Sequence, residues 1–288
     1  MSELLPFPPY LLPSLGCVFV AGPDAREFLQ GQLSFDMQRL TPQRLELASC
    51  SSPQGRVQAV LWMIQRSDAI LLILPAELVD AVVIRLRKYA LRARIKVESG
   101  VDRFVIGGVR ATGEPQASRS HLERDGISLI QWPTDPDRML IVAPHGTPMQ
   151  NDAQFATDWQ QADIRAGLPQ VYLQTHELFV AQMLNVDLLG GISFEKGCYT
   201  GQEIIARTHF RGTVKRRMVA FRADGAPPSP AARILSGDSH AGDVVDSVAT
   251  PQGCELLAVV SLAELQKELR LADSGVVLQR LEMPYEVT

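Results

Sequence analysis

The residues best placed to do chemistry are those around Cys198, which follows Lys196 and lies between Gly197 and Gly201. Thr200 and Glu203 have the Thr-x-x-Glu spacing of a capping box, which predicts that a helix begins just after the cysteine. The positive end of that helix and the charge of Lys196 would both favour the thiolate. Cys198 is therefore the candidate nucleophile. The alternative is a small, buried cysteine in a tight glycine turn.

The other three cysteines, Cys17, Cys50 and Cys254, lie far apart in the sequence and form no Cys-x-x-Cys pair. This spacing argues against a local zinc site or a redox dithiol, so we expect reduced thiols and no metal site. His209 could act as the base for Cys198 if the intervening helix is short, although an isolated histidine is more often structural.

Basic residues form two groups that could bind a polyanion, such as a polyglutamylated folate tail or tRNA. The first group is Arg85, Arg87, Lys88, Arg92, Arg94 and Lys96, and the second is Arg207, Arg211, Lys215, Arg216 and Arg217. Exposed charge runs are usually solvated faces, and a pI of about 5.8 is low for a nucleic-acid binder. Direct tRNA binding is therefore not favoured.

The hydrophobic pattern predicts an α+β protein with antiparallel strands. In the first half it predicts a helix at 24–32, a hairpin of strands at 56–64 and 69–74, a helix at 78–90, and strands at 92–97, 103–109, 127–132 and 139–143. In the second half it predicts helices at 155–166 and 176–185, and then strands at 214–221, 242–248, 255–261 and 275–281. The last four suggest a small β domain that begins near Gly212.

The composition is that of a globular protein with a substantial core: 288 residues, 46% hydrophobic, 21% charged, with a net charge of −4. Met1 to Tyr10 lacks the basic start and apolar core of a secretory signal. We find no apolar run long enough to span a bilayer. We therefore expect a cytoplasmic protein with no membrane partner.

The motif around Cys198, Lys-Gly-Cys-Tyr-Thr-Gly-Gln-Glu, resembles the signature of the YgfZ family of folate-binding proteins. Further matches extend over most of the chain: Phe28-Leu-Gln-Gly-Gln-Leu-Ser-Phe-Asp36, Ser52-Pro-Gln-Gly-Arg56, Asp163-Ile-Arg-Ala-Gly-Leu-Pro169, and Gln182-Met-Leu-Asn185 followed by Gly190-Gly-Ile-Ser-Phe194. The resemblance implies an aminomethyltransferase-like fold. Its α+β subdomains would surround a central folate cavity at 1–211, and a C-terminal β-barrel would occupy 212–288.

The resemblance also implies a function and a site. The protein would bind tetrahydrofolate or a derivative and support assembly or repair of iron–sulfur clusters in client enzymes, including tRNA-modifying enzymes. Cys198 would be the reactive centre, assisted by Lys196, and would attack or hold a sulfur, iron or one-carbon species. The residues implied in folate binding are Trp159, Lys196, Tyr199, Gln202 and Glu203. Trp159 could stack on the pterin or donate a hydrogen bond, although a tryptophan on a helix is usually a core residue.

Two other hypotheses remain open. A one-carbon (aminomethyl) transferase would need a carboxylate near the folate, and Asp36 and Glu203 are available. A noncatalytic folate- or tRNA-binding module would instead depend on basic residues such as Arg216 and Arg217 and not on Cys198.

Overall fold

The computed structural model describes residues 8–110 and 117–287. Within them the α-helices are α1 (Ala25–Gln30), α2 (Val79–Tyr89), α3 (Ala153–Arg165) and α4 (Gln202–Arg211). Short 3-10 helices lie at Met37–Arg39, Ala76–Leu78, Leu173–Thr175 and Leu262–Glu264. The strands are β1 (Tyr10–Leu11), β2 (Leu15–Ala21), β3 (Glu46–Ser51), β4 (Val57–Gln65), β5 (Ile70–Pro75), β6 (Lys96–Ser99), β7 (Phe104–Arg110), β8 (His121–Arg124), β9 (Ile127–Gln131), β10 (Arg138–Pro144), β11 (Arg216–Ala223), β12 (Arg233–Ser236), β13 (Ser239–Thr250), β14 (Gly253–Ser261), β15 (Arg270–Leu271) and β16 (Gln279–Arg280).

The chain divides into two compact units. The first comprises the chain up to Ala48 together with Leu61–Trp159, and the second comprises Ser49–Val60 together with the chain from Gln160 onward. Strands β3 and β4 therefore each run from one unit into the other. The second unit contains both the region around Cys198 and the strands from β11 to β16.

Two five-stranded sheets carry the strands up to β10, in the orders β3-β4-β5-β2-β6 and β1-β7-β10-β9-β8. The predicted hairpin of β4 and β5 is confirmed, with Trp62 opposite Ile73, and β7 pairs antiparallel with β10. In helix α2, the buried residues Val79, Val82, Val83 and Leu86 recur at helical spacing, which explains why this segment buries one face. The predicted α+β class with antiparallel pairing is confirmed.

The C-terminal strands form one six-stranded sheet in the order β15-β12-β13-β14-β11-β16. The sheet curls, and its two edges are joined where Leu278 N–H donates to Leu269 C=O at 2.9 Å. Its interior is apolar, with Val219, Phe221 and Leu256 all buried. This curled sheet is the small β structure that the hydrophobic pattern predicts after Gly212.

Three sequence-based element predictions are wrong in detail. Residues 176–185 form no helix but successive turns, because Glu177 and Asn185 adopt positive φ angles of 60° and 57° that interrupt helical geometry. The strand predicted at 92–97 begins only at Lys96, after a turn in which Arg94 binds the carboxylate of Asp24. The strand predicted at 275–281 is reduced to the two residues of β16.

Among the residues that the structure describes, no helix has both the length and the apolar character needed to cross a membrane.

Candidate functional site

The four cysteines differ sharply in exposure. Cys198 is exposed, whereas Cys17, Cys50 and Cys254 are buried. Burial raises the pKa of the Cys17 thiol to about 12 and also raises the pKa of Cys254, so both are held as inert thiols. Cys198 is thus the cysteine that a reagent or substrate in solution can reach.

The loop that carries Cys198 is held by the side chain of Gln202, the first residue of α4. Its Oε1 accepts a hydrogen bond from the backbone N–H of Tyr199 at 3.3 Å, and its Nε2 donates to the carbonyl of Lys196 at 3.4 Å. One side chain therefore ties down the backbone on both sides of Cys198. This contact gives Gln202 a clear positioning role for the cysteine.

The predicted helix after the cysteine is confirmed, but the Thr200–Glu203 capping box is wrong. The residue that precedes α4 is Gly201, whose φ of 83° is left-handed, and no side chain caps the helix. The N–H of Gln202 donates to the carbonyl of Tyr199 at 3.1 Å, closing a turn whose third residue needs a positive φ. Glycine at this position supplies that conformation at little cost, so the turn replaces the capping box.

The turn at Ser52–Arg56 packs directly against the cysteine loop. A Cβ added to Gly201 would lie 2.7 Å from the carbonyl oxygen of Ser52, and one added to Gly55 would lie 2.7 Å from Cβ of Ile204. Two glycines that are 146 positions apart in the sequence thus allow the close approach of these two segments. This contact explains why Gly55 and Gly201 lack side chains.

Lys196 and Tyr199, on either side of Cys198 in the loop, are buried and contact each other. Lys196 is 8% exposed and Tyr199 is 7% exposed, and the Lys196 Nζ lies 4.9 Å from the centroid of the Tyr199 ring. This cation–π contact positions a positive charge two residues before Cys198. The Tyr199 hydroxyl has no hydrogen-bond partner among the described residues, and burial raises its pKa to about 12.

Glu203 and His209 are engaged elsewhere. The Glu203 side chain is 80% exposed and pairs with Arg207 at 2.8 Å, one helical turn away. The ring of His209 stacks on Phe194, with centroids 3.7 Å apart and planes 13° apart. Lys196, Tyr199 and Gln202 are therefore brought together around the cysteine, whereas Glu203 is turned outward.

The turns at 181–190 contribute two buried amides that sequence reasoning did not assign to the site. Gln182 Nε2 donates to the carbonyl of Ile205 in α4 at 2.7 Å, and Asn185 Nδ2 donates to that of Met218 at 2.8 Å. The side-chain oxygens of both residues are buried without a hydrogen-bond partner in the part of the chain that the structure describes. Because unsatisfied buried acceptors are rare, these two are candidates for binding a polar group.

Trp159 belongs to the first unit and packs in its aromatic core. It is 4% exposed, and its ring centroid lies 5.9 Å from that of Trp132 and 6.1 Å from that of Phe155. These contacts cover most of the ring face, so a pterin has little surface to stack on. The indole N–H has no hydrogen-bond partner among the described residues, and it can therefore still donate one hydrogen bond to a ligand.

The sequence hypotheses that relied on other charged residues lose support. Arg217 is 5% exposed, donates to Asp187 at 2.7 Å and to the carbonyl of Gln182 at 2.8 Å, and is therefore a structural residue. Asp36, a candidate transferase carboxylate, caps the 3-10 helix that follows it and accepts the N–H of Gln38 at 3.1 Å. Arg217 is therefore held within the protein, and one carboxylate oxygen of Asp36 is engaged in the cap.

Comparisons with known proteins bear on the resemblance to the YgfZ family and on the fold. The chain matches none of the protein-family models against which it was compared. It is 29% identical to the tRNA-modifying protein YgfZ of Enterobacter sp. (strain 638), over 99% of its own length and 95% of that relative. Its fold is similar to that of the glycine cleavage system aminomethyltransferase T from Bartonella henselae, with a TM-score of 0.75, 14% identity, and coverage of 96% of this chain and 84% of that one. The resemblance to the YgfZ family and the aminomethyltransferase-like fold are both confirmed.

Proposed function

We propose that this YgfZ-like protein is a folate-binding accessory factor that supports iron–sulfur cluster assembly or repair in client enzymes, and thereby tRNA modification. The observation that carries the proposal is the exposure of Cys198 in a loop fixed by Gln202, while the other three cysteines are buried. The name of the relative, a tRNA-modifying protein, supports the link to tRNA.

Folate binding fits the orphaned polar atoms of the chain. Ligand sites pair apolar surface with a few convergent polar groups, and such groups lack partners when the ligand is absent. Tyr199 OH and Gln182 Oε1, both in the second unit, are buried and unsatisfied among the described residues, and they offer a hydroxyl that can donate or accept and an acceptor. These two residues would hold part of tetrahydrofolate, whose chemistry when bound is to carry one-carbon units.

In this proposal the chain's own residues position and expose a thiol. Gln202 fixes the backbone on either side of Cys198, and the buried Lys196, held against the Tyr199 ring, supplies positive charge to the loop. In this proposal Cys198 attacks or transiently holds a sulfur, iron or one-carbon species on its way to the client. We further propose that the protein acts in the cytoplasm.

Complementation with Cys198→Ser tests the proposal in a bacterial strain that lacks its own YgfZ-family protein. We expect loss of iron–sulfur enzyme activity and of a tRNA thiomodification that depends on such an enzyme, with folding and folate binding intact. Cys254→Ala is the matched control, because it removes a buried thiol from the same unit and should rescue both readouts. Full rescue by Cys198→Ser would show that the thiol is structural and overturn the proposal.

The structural similarity to an aminomethyltransferase suggests a competing function, that of an aminomethyl transferase. Its required carboxylate is not evident, since Glu203 is turned to Arg207 and Asp36 caps a 3-10 helix. Incubation with tetrahydrofolate and an aminomethyl donor separates the two functions. Catalytic turnover to methylenetetrahydrofolate would favour the transferase, whereas the accessory function predicts none.

A further inference from the structure

The C-terminal end of helix α4 carries an exposed aromatic cluster that consists of Phe194, His209 and Phe210. Phe194 and His209 are stacked, and Phe210 meets both rings edge-on, at 6.1 Å from Phe194 and 4.8 Å from His209. Phe210 is nevertheless 68% exposed. A large aromatic side chain held at the surface by two other rings is preorganised to bind a flat partner.

The surroundings of this cluster are basic, although the whole chain has a net charge of −4. The segment from residue 194 to 216 contains five Lys or Arg and two Glu. Arg211 and Lys215 are exposed and form no ion pair with any described residue, whereas Arg207 is paired with Glu203. Arg211 directly follows Phe210 in the chain and Lys215 lies four residues further on, so two exposed cations that no carboxylate of the described residues neutralises flank the cluster in sequence.

The first group of basic residues has a different character. Arg94 pairs with Asp24 at 2.8 Å and Lys96 pairs with Glu98 at 2.9 Å, while Arg87 donates to the carbonyl of Val97. Its exposed aromatic residue, Tyr89, is 43% exposed and lies under the guanidinium of Arg85. This group is largely engaged within the protein, so it makes a good negative control.

We propose that the aromatic cluster and its adjacent cations, Arg211 and Lys215, bind an unpaired nucleotide of an RNA. An unpaired base offers a flat face that stacks on aromatic side chains, and the flanking phosphates complement exposed Lys and Arg. Paired bases cannot stack in this way, because their faces are covered within the helix. The inference rests on the proposed link to tRNA modification and gives it a surface for direct RNA contact, which the sequence did not favour.

Fluorescence anisotropy with a labelled RNA hairpin that has an unpaired loop, and with a fully paired RNA duplex of equal charge, tests this proposal. The unaltered protein is expected to bind the hairpin more tightly than the duplex. Phe210→Ala should weaken hairpin binding by at least about fivefold, the lower end of the effect of one base–aromatic stack, while Phe210→Tyr retains it. Tyr89→Ala, the matched control, should leave the affinity unchanged.

Salt dependence tests the cations separately. The logarithm of the RNA-binding constant should fall as the logarithm of the salt concentration rises. Replacing Arg211 and Lys215 with Gln should make this slope shallower by about 0.7 for each lost phosphate contact. A slope that does not change would show that these cations contact no phosphate, and would overturn their part of the proposal.

Equal hairpin affinity of Phe210→Ala and the unaltered protein would overturn the RNA site and leave the proposed function intact. If Phe210→Ala then also lost function in cells, this surface would be assigned to a protein partner instead. Cys198→Ser is expected to bind the hairpin normally, so failure at the thiol and failure at the RNA surface can be told apart.

Discussion

The prediction that the structure supports most quantitatively concerns Asp246, a buried carboxyl in β13. It is 3% exposed and follows a register shift between Val244 and Asp246. Burial raises the pKa of this carboxyl from 3.8 to about 6. Hydrogen bonds from Tyr172 OH at 2.9 Å and from Gln160 Nε2 at 2.8 Å act in the opposite direction but do not offset the burial.

The direction of the pH dependence follows from this raised pKa. The carboxyl binds its proton more tightly in the folded than in the unfolded state, so its stabilising contribution is complete below about pH 4. That contribution is lost as the pH rises through the folded pKa of about 6. The pKa of Asp246 in the folded protein is about two pH units above its ordinary value of 3.8. This difference corresponds to about 3 kcal/mol of folding free energy, which is present at low pH and absent above about pH 7.

Asp246→Asn removes this ionisation while preserving the shape of the side chain. The amide oxygen can still accept the N–H of Ser247 and of Gln160, and the amide nitrogen can donate to the hydroxyl oxygen of Tyr172, whose own proton can rotate away. We therefore expect the variant to be more stable than the unaltered protein at pH 8 by up to about 3 kcal/mol. At pH 4 the two proteins should be nearly equal.

Urea denaturation of both proteins from pH 4 to pH 8 measures the difference, which should grow between pH 4 and pH 7 and then level off. Asp273→Asn, at an exposed position, is the control and should change stability by less than about 0.5 kcal/mol at any pH. A variant that is destabilised equally at pH 5 and pH 8 would refute the reasoning, because it would show that Asp246 is ionised at little cost in the folded state.

Three further predictions concern the cysteine loop and its support. Iodoacetamide should modify Cys198 in the folded protein and the other three cysteines only after unfolding, as mass spectrometry would show; modification of all four at equal rates would contradict the burial pattern. Gly201→Ala should cost about 1–3 kcal/mol and change the alkylation rate of Cys198, because the new Cβ would require a left-handed φ and would lie 2.7 Å from a carbonyl oxygen; a thermal melt and a rate measurement check this. Arg217→Ala should destabilise the protein by about 3–5 kcal/mol, because it leaves Asp187 without its buried partner, whereas a surface role for Arg217 predicts normal stability and weaker polyanion binding.

The sequence by itself determined the elements whose pattern is local. Helix α2 shows its buried face directly as apolar residues at helical spacing, and β4 and β5 are apolar runs separated by a short polar turn. The resemblance around Cys198 indicated the fold, and the same motif identified the exposed cysteine. Local periodicity failed at residues 176–185, since positive φ angles at Glu177 and Asn185 leave no trace in a hydrophobic pattern.

Only the tertiary structure decided which of the candidate residues are available for chemistry, because availability depends on neighbours that are remote in sequence. The turn at Ser52–Arg56 meets the cysteine loop through Gly55 and Gly201, and burial separates three inert thiols from Cys198. Arg217 belongs to a basic run in the sequence but lies buried against Asp187 in the fold, whereas Phe210, an ordinary hydrophobic residue in the sequence, is exposed. A side chain's charge and size are written in the sequence, but its partners and its access to solvent are set by packing.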